Sequence, residues 1–90
     1  MSVVQVRIPT PLRNFSGGKG TVTSEGKTVR DVLRNVGSSG LLGSILDESG
    51  NVRSFVNLYV DETNIRSLQG LDSEVREGSI VSIIPAVAGG

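Results

Sequence analysis

The chain contains no cysteine, no histidine and no tryptophan. Without a thiol or an imidazole it lacks the commonest nucleophile–base pairs, the softer metal ligands and any disulfide framework. Its aromatic side chains are Phe15, Phe55 and Tyr59, too few for a platform on which bases stack. Neither sign of charge predominates, with nine Lys and Arg against nine Asp and Glu, so there is no electrostatic footprint for a polyanion. No run approaches the roughly 20 apolar residues of a membrane span. The start, Met1-Ser2-Val3-Val4-Gln5, lacks the basic region and apolar run of a secretion signal. The expectations are no nucleic acid, no membrane, no metal, no bound cofactor and a cytoplasmic address.

What remains is enough for one small domain. A chain of 90 residues buries about two-thirds of its unfolded surface. At 37% hydrophobic and zero net charge it is not a disordered composition. Val4, Val6 and Ile8 alternate with Gln5 and Arg7, the period of a half-buried strand, until Pro9 and Pro11 interrupt it. Ser16 to Gly20 is a turn by composition, and Thr21–Ser24 is a second strand, so a hairpin is the simplest reading. Thr28, with Asp31 three residues on, is a capping-box-like start for a helix over 28–36. There Val29, Val32, Leu33 and Val36 make one apolar stripe, Arg30 and Arg34 lie opposite, and Gly37 is a natural stop.

Residues 38–51 are rich in Gly and Ser but carry Leu41, Leu42, Ile45 and Leu46, enough for a short helical turn before the turn at 47–51. Residues 55–60, Phe-Val-Asn-Leu-Tyr-Val, form the clearest strand. Asp61 to Asn64 turns the chain into a short strand at Ile65-Arg66. Leu68, Leu71 and Val75 occupy a connection, and Ile80–Ile84 is the last strand, ended by Pro85, which has no N–H for a ladder. The order strand, strand, helix, strand, short strand, strand predicts an α+β domain, one main helix on one mixed sheet, over residues 1–84.

The residues that follow are unusual. The segment 85–90, Pro-Ala-Val-Ala-Gly-Gly, has no charge, hydroxyl or amide side chain, and its only reactive group is the carboxylate of Gly90. Small residues ending in two glycines suit threading into a narrow slot, because a residue without a Cβ permits close backbone approach. With no ladder partner past the proline, the tail is expected to be mobile. Alternation in the last strand places Ile80 and Ile84 beside Ser82 on the outer face and turns Val81 and Ile83 inward. Ile84, Ile80 and, from the neighbouring strand, Phe55 are therefore candidates for a docking patch.

Three stretches, RIPTPLRNFSGG at 7–18, RSFVNLYVDETNIR at 53–66 and GSIVSIIPAVAGG at 78–90, resemble the β-grasp, ubiquitin-like sulfur carriers of the ThiS/MoaD family. Within that family they look most like the CysO-type carriers of cysteine biosynthesis. The resemblance covers nearly the whole chain. It implies that an E1-like enzyme adenylates Gly90 with ATP and that sulfur then replaces AMP to give a thiocarboxylate. Gly89 would be the slim neighbour, and Pro85, Ala86, Val87 and Ala88 would thread into the partner. No catalytic residue is needed in the carrier itself.

The partners so implied are the E1-like adenylyltransferase, a sulfur-accepting cysteine synthase homologue that uses pyridoxal phosphate, and a metallopeptidase that frees the product. The same tail also suits the small subunit of molybdopterin synthase, with that enzyme's large subunit as acceptor. It equally suits a thiamin or tRNA thiolation carrier, a ubiquitin-like protein modifier, and a plain interaction domain.

Other signals carry less. Gly17-Gly18-Lys19-Gly20 fails as a phosphate loop, because Gly20 stands where Ser or Thr is required. The pairs Asp47/Glu48 and Asp61/Glu62 read as solvated turn charges. Asp72, Glu74 and Glu77, with Arg76, read as wet surface.

Overall fold

β1 (Ser2–Arg7) buries Val4 and Val6, and Ile8 continues that inward row while Val3, Gln5 and Arg7 face solvent. The computed structural model describes residues 2–37 and 39–85. Pro9 breaks the strand and starts a 3-10 helix, Thr10–Ser16, whose Leu12 and Phe15 pack against the core. Gly17 and Gly18, both at positive φ, turn the chain into β2 (Thr21–Gly26). β1 and β2 pair antiparallel from Ser2↔Gly26 to Arg7↔Thr21, as the hairpin reading expects, although β2 runs two residues further than its β-favouring stretch.

α1 (Val29–Asn35) starts at Thr28, whose hydroxyl accepts the Asp31 N–H at 3.3 Å, and is followed by Gly37 at φ 84°. Val29, Val32 and Leu33 are completely buried on the sheet. Burying side chains of this size is worth about 1.5–3 kcal/mol each, which a helix of two turns needs because it is too short to persist alone. Val36 N–H turns to the Leu33 carbonyl, leaving the Val32 carbonyl for the buried hydroxyl of Ser24 at 2.7 Å. That bond ties β2 to α1. α2 (Ser39–Ile45) buries Leu41 and Ile45.

β3 (Val56–Val60) buries Val56, Leu58 and Val60, and β4 is Thr63–Asn64. Here the structure corrects the sequence reading. Ile65-Arg66 is not a strand but the start of a 3-10 helix, Ile65–Ser67, because the Asn64 side chain accepts the Arg66 N–H at 2.9 Å and caps it. Ile65 was apolar for burial in the core, not for sheet pairing. Asp72, Glu74, Arg76 and Glu77 are exposed, as the sequence reading expects, and Asp72 pairs with Arg30 at 3.3 Å. β5 (Ile80–Pro85) alternates as expected, with Val81 and Ile83 buried and Ile84 exposed, and it includes Pro85 as its last paired residue.

The five strands form one mixed sheet in the order β2-β1-β5-β3-β4. β5 runs parallel to β1 and antiparallel to β3. α1 and α2 cover one face, and the core lies between them and the rows Val4, Val6, Val56, Leu58, Val60, Val81 and Ile83. No helix among the described residues is long and apolar enough to cross a membrane.

Candidate functional site

Residues 86–90 follow Pro85, the last residue of a central strand, so the candidate site is built around the end of β5. On one side β3 pairs with β5 to its end, from Val60↔Val81 to Val56↔Pro85. On the other side β1 pairs only from Gln5↔Ile80 to Arg7↔Ser82. Beyond Ser82 the chain of β1 departs: Ile8 N–H bonds to Gly20, Pro9 has no N–H, and the Arg13 guanidinium takes the Ile8 carbonyl at 3.1 Å. The departure opens a groove of about 360 Å³ lined by Arg7, Pro9, Arg13, Ser82 and Ile84 among others.

A second groove, of about 420 Å³, lies across the strand end and is more apolar, with Pro11, Leu12, Phe55, Val56 and Pro85 joined by Ser44 and Arg53. Phe55 is the residue before β3, in a turn closed by Val56 N–H to the Arg53 carbonyl. It is therefore a rim residue of the tail root rather than a strand residue, and the sequence reading that placed it in the strand is corrected. Pro85 has no N–H to offer its partner Val56, and the Val56 carbonyl accepts from the Arg66 guanidinium at a long 3.5 Å.

The structure divides the three docking candidates. Ile84 and Phe55 are 49% and 52% exposed, large apolar side chains left in water at the same end of the sheet. Ile80 is on the same face but at the other end of β5, half-buried beside Gln5, with its N–H on the Asp61 carboxylate at 3.1 Å. Four residues of strand, about 13 Å, separate it from Ile84, so it stands apart from the tail root. Ala86, Val87, Ala88, Gly89 and Gly90 lie outside the described residues.

Sequence reasoning missed the polar part of this end: Arg7, Arg13, Arg53 and Arg66 all reach the tail root, although they are scattered through the chain and hidden in a neutral total. Only the strand order brings them together. Among the described residues no buried side-chain nitrogen or oxygen lacks a hydrogen-bond partner, and no group of three acidic residues is placed to hold a metal. What the arrangement does offer is presentation: Pro85 is held at the end of a central strand, with exposed apolar and cationic side chains around it.

The sequence profile of the ThiS family matches residues 6–90. Sulfur carrier protein CysO of Mycobacterium tuberculosis is 38% identical over 91 residues, covering 97% of this chain and 98% of the relative. In a crystal structure of an Amycolatopsis orientalis BexX/CysO complex, a chain superposes with TM-score 0.90 at 37% identity, covering 97% of this chain and 99% of that one. The small archaeal modifier protein 1 of Methanosarcina acetivorans superposes with TM-score 0.83 at 28% identity, covering 100% and 98%.

Proposed function

The chain belongs to the ThiS family, and from that premise we propose that it is a sulfur carrier that holds sulfur as a thiocarboxylate at Gly90 and serves cysteine biosynthesis. The observation that carries the reading is the extent of the match, which runs through Gly89 and Gly90 and accompanies 38% identity to a CysO carrier over nearly the whole of both chains. The β-grasp fold of those relatives is the fold observed here.

The chemistry follows from the carboxylate. As an anion stabilised by resonance it resists nucleophiles, so it needs a leaving group. A carboxylate oxygen of Gly90 attacks the α-phosphorus of ATP, held by an E1-like partner, and pyrophosphate departs. A hydrosulfide equivalent then attacks the acyl carbon, AMP leaves with the C–O electron pair, and the thioacid loses its proton. The product is a soft anionic nucleophile of the same kind as a thiolate. Ala86, Val87, Ala88 and Gly89 thread into the partner, where the absence of a Cβ at Gly89 and Gly90 lets the backbone pass close to the ATP. Ile84 and Phe55 dock beside the entrance. The chain acts as a co-substrate, and neither a bound cofactor nor a metal of its own enters these steps.

The acceptor on this reading is a pyridoxal-phosphate cysteine synthase homologue. Its electron-poor alkene takes the sulfur at carbon and a proton beside it to give a cysteinyl thioester; the cysteine amine then displaces the sulfur to form an amide, and a metallopeptidase hydrolyses that amide to free cysteine and return the Gly90 carboxylate. A second reading, protein modification through an isopeptide at Gly90, is favoured by the likeness to an archaeal modifier protein; it shares the adenylation and differs in its product.

Intact mass after incubation with an E1-like enzyme, ATP and sulfide tests the proposal. The expected result is the exchange of one oxygen for sulfur, dependent on ATP and confined to the C-terminal fragment. That localisation matters because oxidation of Met1, the single methionine, adds nearly the same mass. No ATP-dependent change refutes the carrier reading, and lysine conjugates without a thiocarboxylate favour the modifier.

A further inference from the structure

The chain is neutral in total, but four of its arginines gather at one end of β5. At the tail root, Arg7 and Arg13 line the groove beside Ile84, Arg53 lines the one beside Pro85, and the Arg66 guanidinium reaches the carbonyl of Val56, the partner of Pro85. At the opposite end carboxylates are mixed with the cations Lys27 and Arg76. Glu25 sits across from Val3, Glu77 accepts the Val3 N–H at 2.9 Å, Asp61 accepts from Ile80, and Glu74 bridges to Thr28. Among the described residues the ion pair is Arg30–Asp72, which involves none of the four root arginines.

Arg13 and Arg53 are held by backbone carbonyls, at Ile8 and Gly43, while Arg66 reaches that of Val56 only at 3.5 Å. The first two bonds fix their guanidinium groups in place without neutralising them. Fixed, uncompensated cations around an exposed apolar centre suit a partner with carboxylates around an apolar seat.

We propose that Arg7, Arg13, Arg53 and Arg66 form a cationic collar that steers the tail root onto an acidic rim around the mouth of the protein that receives the tail. This inference rests on the carrier reading and adds the chemistry of the partner's surface. A protein fits better than a nucleic acid, because Ile84, Phe55 and Pro85 stand within the collar and offer nothing to phosphates. Charge arranged in this way acts mainly on the association rate and weakens as salt screens it.

The test is the rate of ATP-dependent adenylation by the E1-like enzyme of the same organism, at limiting enzyme and across a series of NaCl concentrations. The variant R7Q/R66Q is compared with R34Q/R76Q, which removes the same charge from residues away from the tail root. Thermal unfolding accompanies each variant, and R7K/R66K restores the charge without the guanidinium geometry. At low salt, R7Q/R66Q is expected to lose about tenfold in kcat/KM, through KM rather than kcat. R34Q/R76Q should stay near wild type, R7K/R66K should recover most of the loss, and the curves should converge at high salt.

If adenylation proceeds but R7Q/R66Q matches R34Q/R76Q at every salt concentration, the collar is refuted while the carrier reading stands. If R7K/R66K remains as slow as R7Q/R66Q, the arginines act by geometry and the electrostatic proposal falls. If wild type is not adenylated at any salt concentration, the carrier reading fails and takes the collar with it.

Discussion

Replacing Gly26 and Gly43 by alanine makes the same chemical change in two helix-side settings and should give opposite signs. A Cβ at Gly26 would stand 2.7 Å from Asp31 Cβ, 2.8 Å from Val32 N and 3.1 Å from Asp31 C. Two of these atoms are helix backbone and cannot rotate away. Carbon contacts are comfortable at about 3.5–4.0 Å, so α1 must move outward by most of an ångström, loosening Val29, Val32 and Leu33 on the sheet. Overpacking of this kind costs about 1–3 kcal/mol. The lower entropy of an unfolded alanine offsets about 0.4–1 kcal/mol, leaving a net loss of about 1–2 kcal/mol.

Gly43 lies in α2 with nothing within 4 Å of an added Cβ, and neither glycine has a positive φ. G43A should therefore stabilise by about 0.5–1 kcal/mol. Urea unfolding followed by far-ultraviolet circular dichroism resolves both. With a slope of about 1 kcal/mol/M for a small domain, G26A lowers the midpoint by about 1–2 M and G43A raises it by about 0.5–1 M. A midpoint for G26A at or above wild type would refute the close approach of α1 to β2. Gly26 pairs with Ser2, at the end of the sheet away from Pro85, so folded G26A should still be loaded with sulfur at the normal rate.

Three further outcomes are expected. Adding one alanine after Gly90 should abolish the ATP-dependent mass gain while leaving thermal unfolding unchanged, read by intact mass and calorimetry. Ile84→Asp should reduce adenylation efficiency about tenfold, as loss of an apolar interface anchor does, with stability within about 0.5 kcal/mol of wild type; Ile80→Ser should affect adenylation far less. Ser24→Ala leaves the buried Val32 carbonyl without its 2.7 Å donor and should cost about 1–3 kcal/mol in urea unfolding.

The parts of the fold that show in the sequence are those where a local pattern and its physical cause coincide. Thr28 caps α1 because its oxygen lies where the Asp31 N–H needs an acceptor, and Val4, Val6, Val81 and Ile83 alternate because one face of their strands is covered. Ile65 misled because an apolar residue beside strand-forming neighbours looks the same whether the sheet or a 3-10 turn buries it, and the Asn64 cap decides. The helix at Thr10–Ser16 is written in two prolines that first read only as an interruption. The tail is legible as composition alone. The arginine collar was illegible, since Arg7 and Arg66 lie 59 positions apart in the numbering and become neighbours of one site only through β5.

The placement of β5 also bears on how the domain comes into being. It is the last strand of the sheet to be synthesised among the described residues, yet it occupies the middle, and β1 meets β3 only through it. Until residues 80–85 emerge, the nascent chain holds two separate two-stranded ribbons, β2-β1 and β3-β4, and isolated ribbons of that size are marginal in water. Folding must therefore wait for nearly the whole chain, and the contacts that complete it join residues far apart in sequence, which slows them. A translation product cut short before β5 would fail to fold and would be open to degradation. The order of the strands thus acts as proofreading: a domain that has folded has already been made up to Pro85.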